Sequence, residues 1–176
     1  RIILFYFISS YLEKDGAETL KELGIEHLDA LTPKQAIDLA TRIVIDLTKY
    51  IPEESKESVI LDNNFITYGL YKGTRKNPTA NKIPRYITID EDIAKLFGLY
   101  LAEGSKGKHN ISFAFHTKET ELHNFVRNTL KDRFGQNPCT VIRQNSATIS
   151  AGSKILREFF VQFGKSDKKR IPDFLM

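Results

Sequence analysis

Cysteine is nearly absent from this chain: Cys139 is the single thiol among 176 residues. One thiol excludes an internal disulfide and a cysteine-based zinc cluster, and it makes a reducing compartment the default setting. Long apolar runs are missing too. The run at residues 2 to 8 is too short to cross a bilayer. No small-residue cleavage pattern follows it, so it reads as part of a buried helix rather than a signal segment. No membrane association is expected, and the expected location is cytoplasmic. Nor does any metal-ligand spacing link His116 and His123, which read as strand-face and helix-surface residues. The remaining composition is that of an ordinary globular protein, long enough for one domain with a sizeable core or two small ones.

Charge is plentiful but unevenly placed. Residues 1 to 70 hold 7 Lys/Arg against 12 Asp/Glu, a balance of −5, whereas residues 71 to 176 hold 19 against 10, a balance of +9. A basic surplus attracts phosphates and gives salt-sensitive nucleic-acid binding. A solvated, ion-pair-rich surface of the thermophile kind is the competing account.

Three stretches follow one another. Residues 1 to 57 read as helical: Thr32-Pro33-Lys34-Gln35 has the threonine cap, first-turn proline and third-position glutamine of a helix start. Ala36, Ile37, Ala40, Ile43, Val44 and Leu47 then recur at helical spacing, until Pro52. Residues 58 to 89 are a strand-rich connector, with Val59, Leu61, Phe65, Thr67 and Tyr71 around an Asn63-Asn64 turn. Within it, residues 74 to 81 are polar and basic, either an exposed linker or an arm along DNA. Residues 90 to 176 alternate. After a first helix comes a strand near 106–110, then Ile111, Phe113 and Phe115 in strand alternation. A helix follows from near Thr117 to Phe134, with Leu122, Phe125, Val126, Thr129 and Leu130 as its stripe and Gly135 as its stop. Residues 140 to 144 and 146 to 150 form a hairpin, and a last helix packs Ile155, Leu156, Phe159, Phe160 and Phe163 before Gly164. The fold class is therefore α+β, in the order αββαββα, with helices on one face of an antiparallel sheet and a helical N-terminal region in front.

The first of those helices carries the most informative segment, Leu96-Phe97-Gly98-Leu99-Tyr100-Leu101-Ala102-Glu103-Gly104. A helix apolar on nearly every side is a buried helix, yet its last turn holds Glu103, a group that is rarely buried without a partner. Gly98 and Ala102, four apart, open one face to close approach by another helix. The carboxylate lies at the negative end of the helix dipole and needs a cation. Together these features ask for a second helix and a metal ion.

This nonamer resembles the signature of the LAGLIDADG homing endonucleases, which cut long DNA sites within or beside inteins and introns. Leu96, Gly98, Leu99, Ala102, Glu103 and Gly104 match in kind, with Glu103 in place of the metal-binding aspartate. The lead-in Ile83-Pro84-Arg85-Tyr86-Ile87-Thr88-Ile89-Asp90-Glu91-Asp92 is similar to that of intein-type members, as are Ser105 after the glycine and the later block Lys168-Lys169-Arg170-Ile171-Pro172. The resemblance covers roughly residues 83 to 176, about half the chain.

The resemblance implies a half-domain that pairs through Gly98 and Ala102. The partner is either a second copy, giving a homodimer, or a second motif-bearing half outside this chain. It implies Glu103 as ligand to Mg²⁺ or Mn²⁺, and Lys168 or Lys169 beside the scissile phosphate of double-stranded DNA. Spacing does not choose between the two lysines, and a basic loop on the DNA backbone is the other reading of both. A β-ribbon fits the major groove. Arg143, Gln144, Asn145, Ser146 and Thr148 are therefore expected to read bases, and Lys106 and Lys108 to contact phosphates. The competing functional class is a relative that has lost cleavage and acts as a DNA- or RNA-binding regulator or splicing aid. A weaker third reading makes residues 1 to 57 part of an unrelated host enzyme interrupted by the nuclease. There is no leading nucleophilic cysteine and no terminal His-Asn pair, so protein splicing by this chain is not expected.

Overall fold

The computed structural model describes residues 44–68, 81–164 and 168–172. The run at residues 2 to 8, the helix start at Thr32-Pro33 with its stripe through Ile43, and Tyr71 with the basic stretch from 74 to 80 lie outside the described residues.

The described chain is α+β, with antiparallel pairing in every sheet. Strand β1 (Val44–Asp46) pairs with β5 (Tyr86–Thr88). Strands β2 (Ile60–Leu61), β3 (Phe65–Tyr68) and β4 (Asn81–Pro84) form a three-stranded sheet. Its β2–β3 turn is held by Asp62, whose carboxylate accepts from the Asn64 N–H at 2.8 Å and the Phe65 N–H at 2.5 Å. Helix α1 (Glu91–Glu103) leads into β6 (Gly104–Lys106) and β7 (Ile111–His116). Helix α2 (Thr120–Phe134), β8 (Cys139–Arg143), β9 (Ser146–Ala151) and α3 (Lys154–Val161) follow. The last four strands make one sheet in the order β6-β7-β9-β8. From α1 to α3 the order is αββαββα, as expected.

Local chemistry accounts for most of these boundaries. Asp90 caps α1, accepting from the Ile93 N–H at 2.9 Å, and Glu91 and Asp92 add negative charge to its first turn. Gly135 ends α2 in the left-handed region at φ 64°, the stop that glycine supplies without a Cβ penalty. Ser153 caps α3 at the Leu156 N–H, and its Oγ also accepts the Tyr68 hydroxyl at 2.6 Å. That buried bond ties the three-stranded sheet to the helical layer.

One continuous core joins the pieces. Ile111, Phe113, Phe115, Ala147, Ile149 and Ala151 point from the sheet toward the helices and are buried. Above them Phe97, Tyr100, Phe159, Phe160 and Phe163 interlock, with ring centroids 4.6 Å apart for Tyr100–Phe160 and 5.0 Å for Phe97–Phe163. Each such ring contributes roughly 1.5–3 kcal/mol of hydrophobic stabilisation. Ile45, Leu47, Ile66, Ile83 and Ile89 belong to the same buried cluster.

Four expectations are corrected. The helical stripe does not run through Val44 and Leu47: Val44 and Ile45 lie in β1, and Asp46 caps a short 3-10 turn at Leu47–Tyr50. The reason is tertiary, since β-branched Val44 and Ile45 find strand partners in Thr88 and Ile87. The strand expected at 106–110 is β6, which begins at Gly104 directly after α1. Helix α2 begins at Thr120 rather than Thr117, because the Glu119 carboxylate accepts the His116 N–H at 2.7 Å and holds a turn there. Finally, α1 is not covered on every side. Ile93, Leu96, Phe97 and Tyr100 are buried, but Glu91, Asp92, Lys95, Ala102 and Glu103 are exposed, with Gly98 and Leu99 half-buried.

Candidate functional site

The end of α1 is where the sequence-predicted residues meet. Glu103 is its last residue and is solvent-exposed. Gly104 must be glycine for space rather than conformation: its φ of −80° is ordinary, but a Cβ there would overlap the ring and carbonyl of Tyr100. This close approach lets β6 leave the helix at once and keeps Glu103 at the edge of the sheet.

The basic block returns to the same point. Gly164 takes φ 84°, and a Cβ on it would meet the Lys168 carbonyl. The Arg170 N–H donates to the Phe163 carbonyl at 2.9 Å, Ile171 packs on the core and Pro172 is buried. With its apolar end anchored, the block delivers the Lys169 ammonium to the Tyr100 carbonyl at 2.9 Å, with the Tyr100 ring centroid 5.6 Å away. A cation at the last turn of a helix is favourable, and Lys169 supplies one at the Tyr100 carbonyl. Burial pulls the Lys169 pKa below the ordinary lysine range, and the neighbouring Glu103 carboxylate works against that shift. Burial also pushes the Tyr100 hydroxyl up to about 12. Lys168, by contrast, is exposed. Geometry thus separates two lysines that spacing does not.

Gly98 and Ala102, with Leu99, lie on the side of α1 that the rest of the described chain leaves partly open. Lys95 on the same side has its ammonium 4.2 Å from the Phe125 ring centroid. Among the described residues no group of three His, Cys, Asp or Glu side chains could hold a metal ion. Magnesium commonly uses one or two carboxylates with phosphate and water, so Glu103 suits such an ion only together with a phosphate or a second carboxylate.

The other predicted residues divide between the two sides of the four-stranded sheet. Arg143, Gln144, Asn145 and Ser146 form the exposed tip of the β8–β9 hairpin, with Gln144 at φ 50°. The Asn145 carbonyl accepts the Thr117 N–H at 2.9 Å, which braces the tip. Thr148 is half-buried on the side away from the helices, between Ala114 and Val141. Lys106 is opposite Ile111, a core position, so its register places it on the helix side of the sheet, and Lys108 is in the exposed β6–β7 turn. His116 ends β7 and His123 lies in α2: His116 Nδ1 accepts the Lys118 N–H at 3.1 Å, and the His123 ring is 3.0 Å from the His116 carbonyl. Ser105, Ser112, Ala114 and Val141 also belong to the open side. Their signal was present in the alternation with Ile111, Phe113 and Phe115.

No protein-family model matches the chain. It is similar to parts of three archaeal proteins. One is an ATP-dependent DNA helicase Hel308 of Thermococcus kodakarensis, at 26% identity over 87% of this chain and 14% of the helicase. Another is the DNA-directed RNA polymerase subunit Rpo1C of Methanocaldococcus jannaschii, at 26% over 82% of the chain and 18% of the subunit. The third is a DNA polymerase of Pyrococcus horikoshii, at 28% over 56% of the chain and 7% of the polymerase. The chain therefore spans less than a fifth of each of these relatives. No helix among the described residues is long and apolar enough to cross a membrane.

Proposed function

We propose that the chain is one half of a divalent-metal-dependent DNA endonuclease of the LAGLIDADG homing type, associated with an intein or intron. The observation that carries this reading is the arrival of the Lys169 ammonium at the Tyr100 carbonyl in the last turn of α1, the turn that ends at Glu103, within an αββαββα half-domain. In this reading the open face of α1, with Gly98 and Ala102, packs on the equivalent helix of a second copy or second half. The close approach brings two carboxylates to one scissile region. Glu103 would hold the divalent ion, which would supply charge stabilisation to phosphodiester hydrolysis. The Lys169 ammonium, positioned by its bond to the Tyr100 carbonyl, stabilises the negative charge that develops on the phosphate. The open side of the four-stranded sheet lies along the major groove of duplex DNA.

The three relatives support an inserted origin. Their names assign three different activities, and each is similar to this chain over a small fraction of its own length. A segment shared by proteins with such different activities is explained by none of those activities, whereas a transferable insert accounts for all three.

The test is incubation of the full chain with a library of long duplex DNA sites and Mg²⁺, beside Glu103→Gln and Lys169→Met variants, followed by sequencing of the ends. Cleavage that both variants lose by at least about 100-fold is the expected outcome. Salt-sensitive binding without cutting by the unaltered protein would point instead to a binding regulator or splicing aid, or to a half whose second acid comes from outside this chain.

A further inference from the structure

Strand register sets side chains in straight rows across the open side of the four-stranded sheet. Ala114, Thr148 and Val141 are partners in one row. The row on one side contains Ser112 and Ser150, whose hydroxyls are 2.9 Å apart and bond each other. The row on the other side ends at Ser146 and Arg143. No carboxylate occurs at any of these positions. The middle row therefore differs in kind from its neighbours. It offers three methyl-bearing groups and one hydroxyl, and it is accessible: Ala114 is exposed, Thr148 half-buried and Val141 48% exposed.

Methyl groups gain nothing from phosphate, and a face with a cationic margin and a neutral methyl centre is poorly matched to a protein partner rich in Lys or Arg. In the major groove the complementary group exists on one base alone: thymine carries a C5 methyl, for which alanine and the threonine methyl are standard contacts. Resting on the proposed placement of this sheet in the major groove, we infer that Ala114, Thr148 and Val141 read thymine through its 5-methyl group. The row also lies close to the proposed cleavage centre. Gly104, the first residue of β6, is opposite Phe113, the neighbour of Ala114 in β7, and Glu103 directly precedes Gly104. Thr148 is then two strand spacings away, on the order of 10 Å. The thymines it reads are those nearest the cut.

The experiment measures binding without Mg²⁺, so that loss of cleavage cannot obscure it. The full chain selects duplexes from a randomised library, and the selected duplexes are remade with deoxyuridine at each thymidine in turn. The expected result is thymine enrichment at one or more positions. At those positions each methyl removed weakens binding by about fourfold. Val141→Asn and Thr148→Asn bring the thymine-to-uracil ratio to one, and Thr148→Val, which keeps the methyl, preserves it. The salt dependence is unchanged in all three, because phosphate contacts are untouched. Salt-sensitive binding with equal affinity for thymine and uracil at every position overturns this inference and leaves the DNA-binding reading standing. Absence of salt-sensitive duplex binding overturns both.

Discussion

Lys169 donates to the Tyr100 carbonyl in the last turn of α1, and burial lowers its pKa against the raising effect of the Glu103 negative charge. Removing it as Lys169→Met exposes an unanswered helix end, a cost of about 0.5–1 kcal/mol measurable by urea denaturation, alongside the loss of cleavage. Lys168→Met, at an exposed position, is expected to change stability by less than about 0.5 kcal/mol and to leave cleavage within a few-fold of the parent. Equal effects of the two substitutions would refute the assignment of Lys169. Asp46 allows a pH prediction. Burial raises its pKa, but the Thr48 backbone and hydroxyl bonds and the Arg85 guanidinium outweigh burial and hold the carboxyl below the ordinary aspartate range. A depressed folded pKa means stability that is fully present above the unfolded value and is lost as pH falls through the folded one. The stability difference between the parent and Asp46→Asn is therefore expected to be constant at neutral pH and to shrink below about pH 4. A difference that grows on acidification would contradict the sign.

Two junctions between elements are set by glycine or by its absence. Gly104→Ala drives a methyl into Tyr100 at the point where α1 becomes β6, and it is expected to cost about 1–3 kcal/mol in the denaturant midpoint. Gly152, with open space around it, should tolerate the same change with a far smaller loss. At the β8–β9 tip the chain instead places glutamine at φ 50°, in a region that costs most L-residues roughly 1 kcal/mol. Gln144→Asn is expected to recover part of that cost, because asparagine tolerates the left-handed region. A thermal melt in which Gln144→Asn unfolds below the parent would show that the glutamine side chain compensates for its backbone.

On the scale of the whole molecule, the proposed assembly turns on the open side of α1. A face of Gly98, Leu99 and Ala102, opposite the buried side of α1, is suited to close helix contact, and the reading proposed above needs a second carboxylate from across it. Sedimentation of the full chain with its selected duplex is expected to show two copies per site. Ala102→Arg should reduce this to one copy while unfolding within about 0.5 kcal/mol of the parent, since the position is exposed. Two copies per site with Ala102→Arg would move the interface elsewhere.

Much of this architecture was legible in local pattern. The alternation of Ile111, Phe113 and Phe115 determined which side of β7 faces the helices, Gly135 determined where α2 stops, and the Phe159, Phe160 and Phe163 cluster marked α3. Those features depend on near neighbours in the chain, and a periodic pattern with a stop signal describes them fully. The tertiary structure alone decided the rest. Val44 and Ile45 became a strand because Tyr86–Thr88, some forty residues later, offered backbone partners. Lys106 went to the helix side because β6 begins without a turn after Glu103, so that a shift of a single residue reverses every side chain. Lys169 rather than Lys168 reached α1 because Ile171 and Pro172 anchor the block from its far end. In the first and last cases the deciding contact joins residues far apart in the chain, and local propensity carries no information about such contacts. For Lys106 it is the register that periodicity alone does not fix.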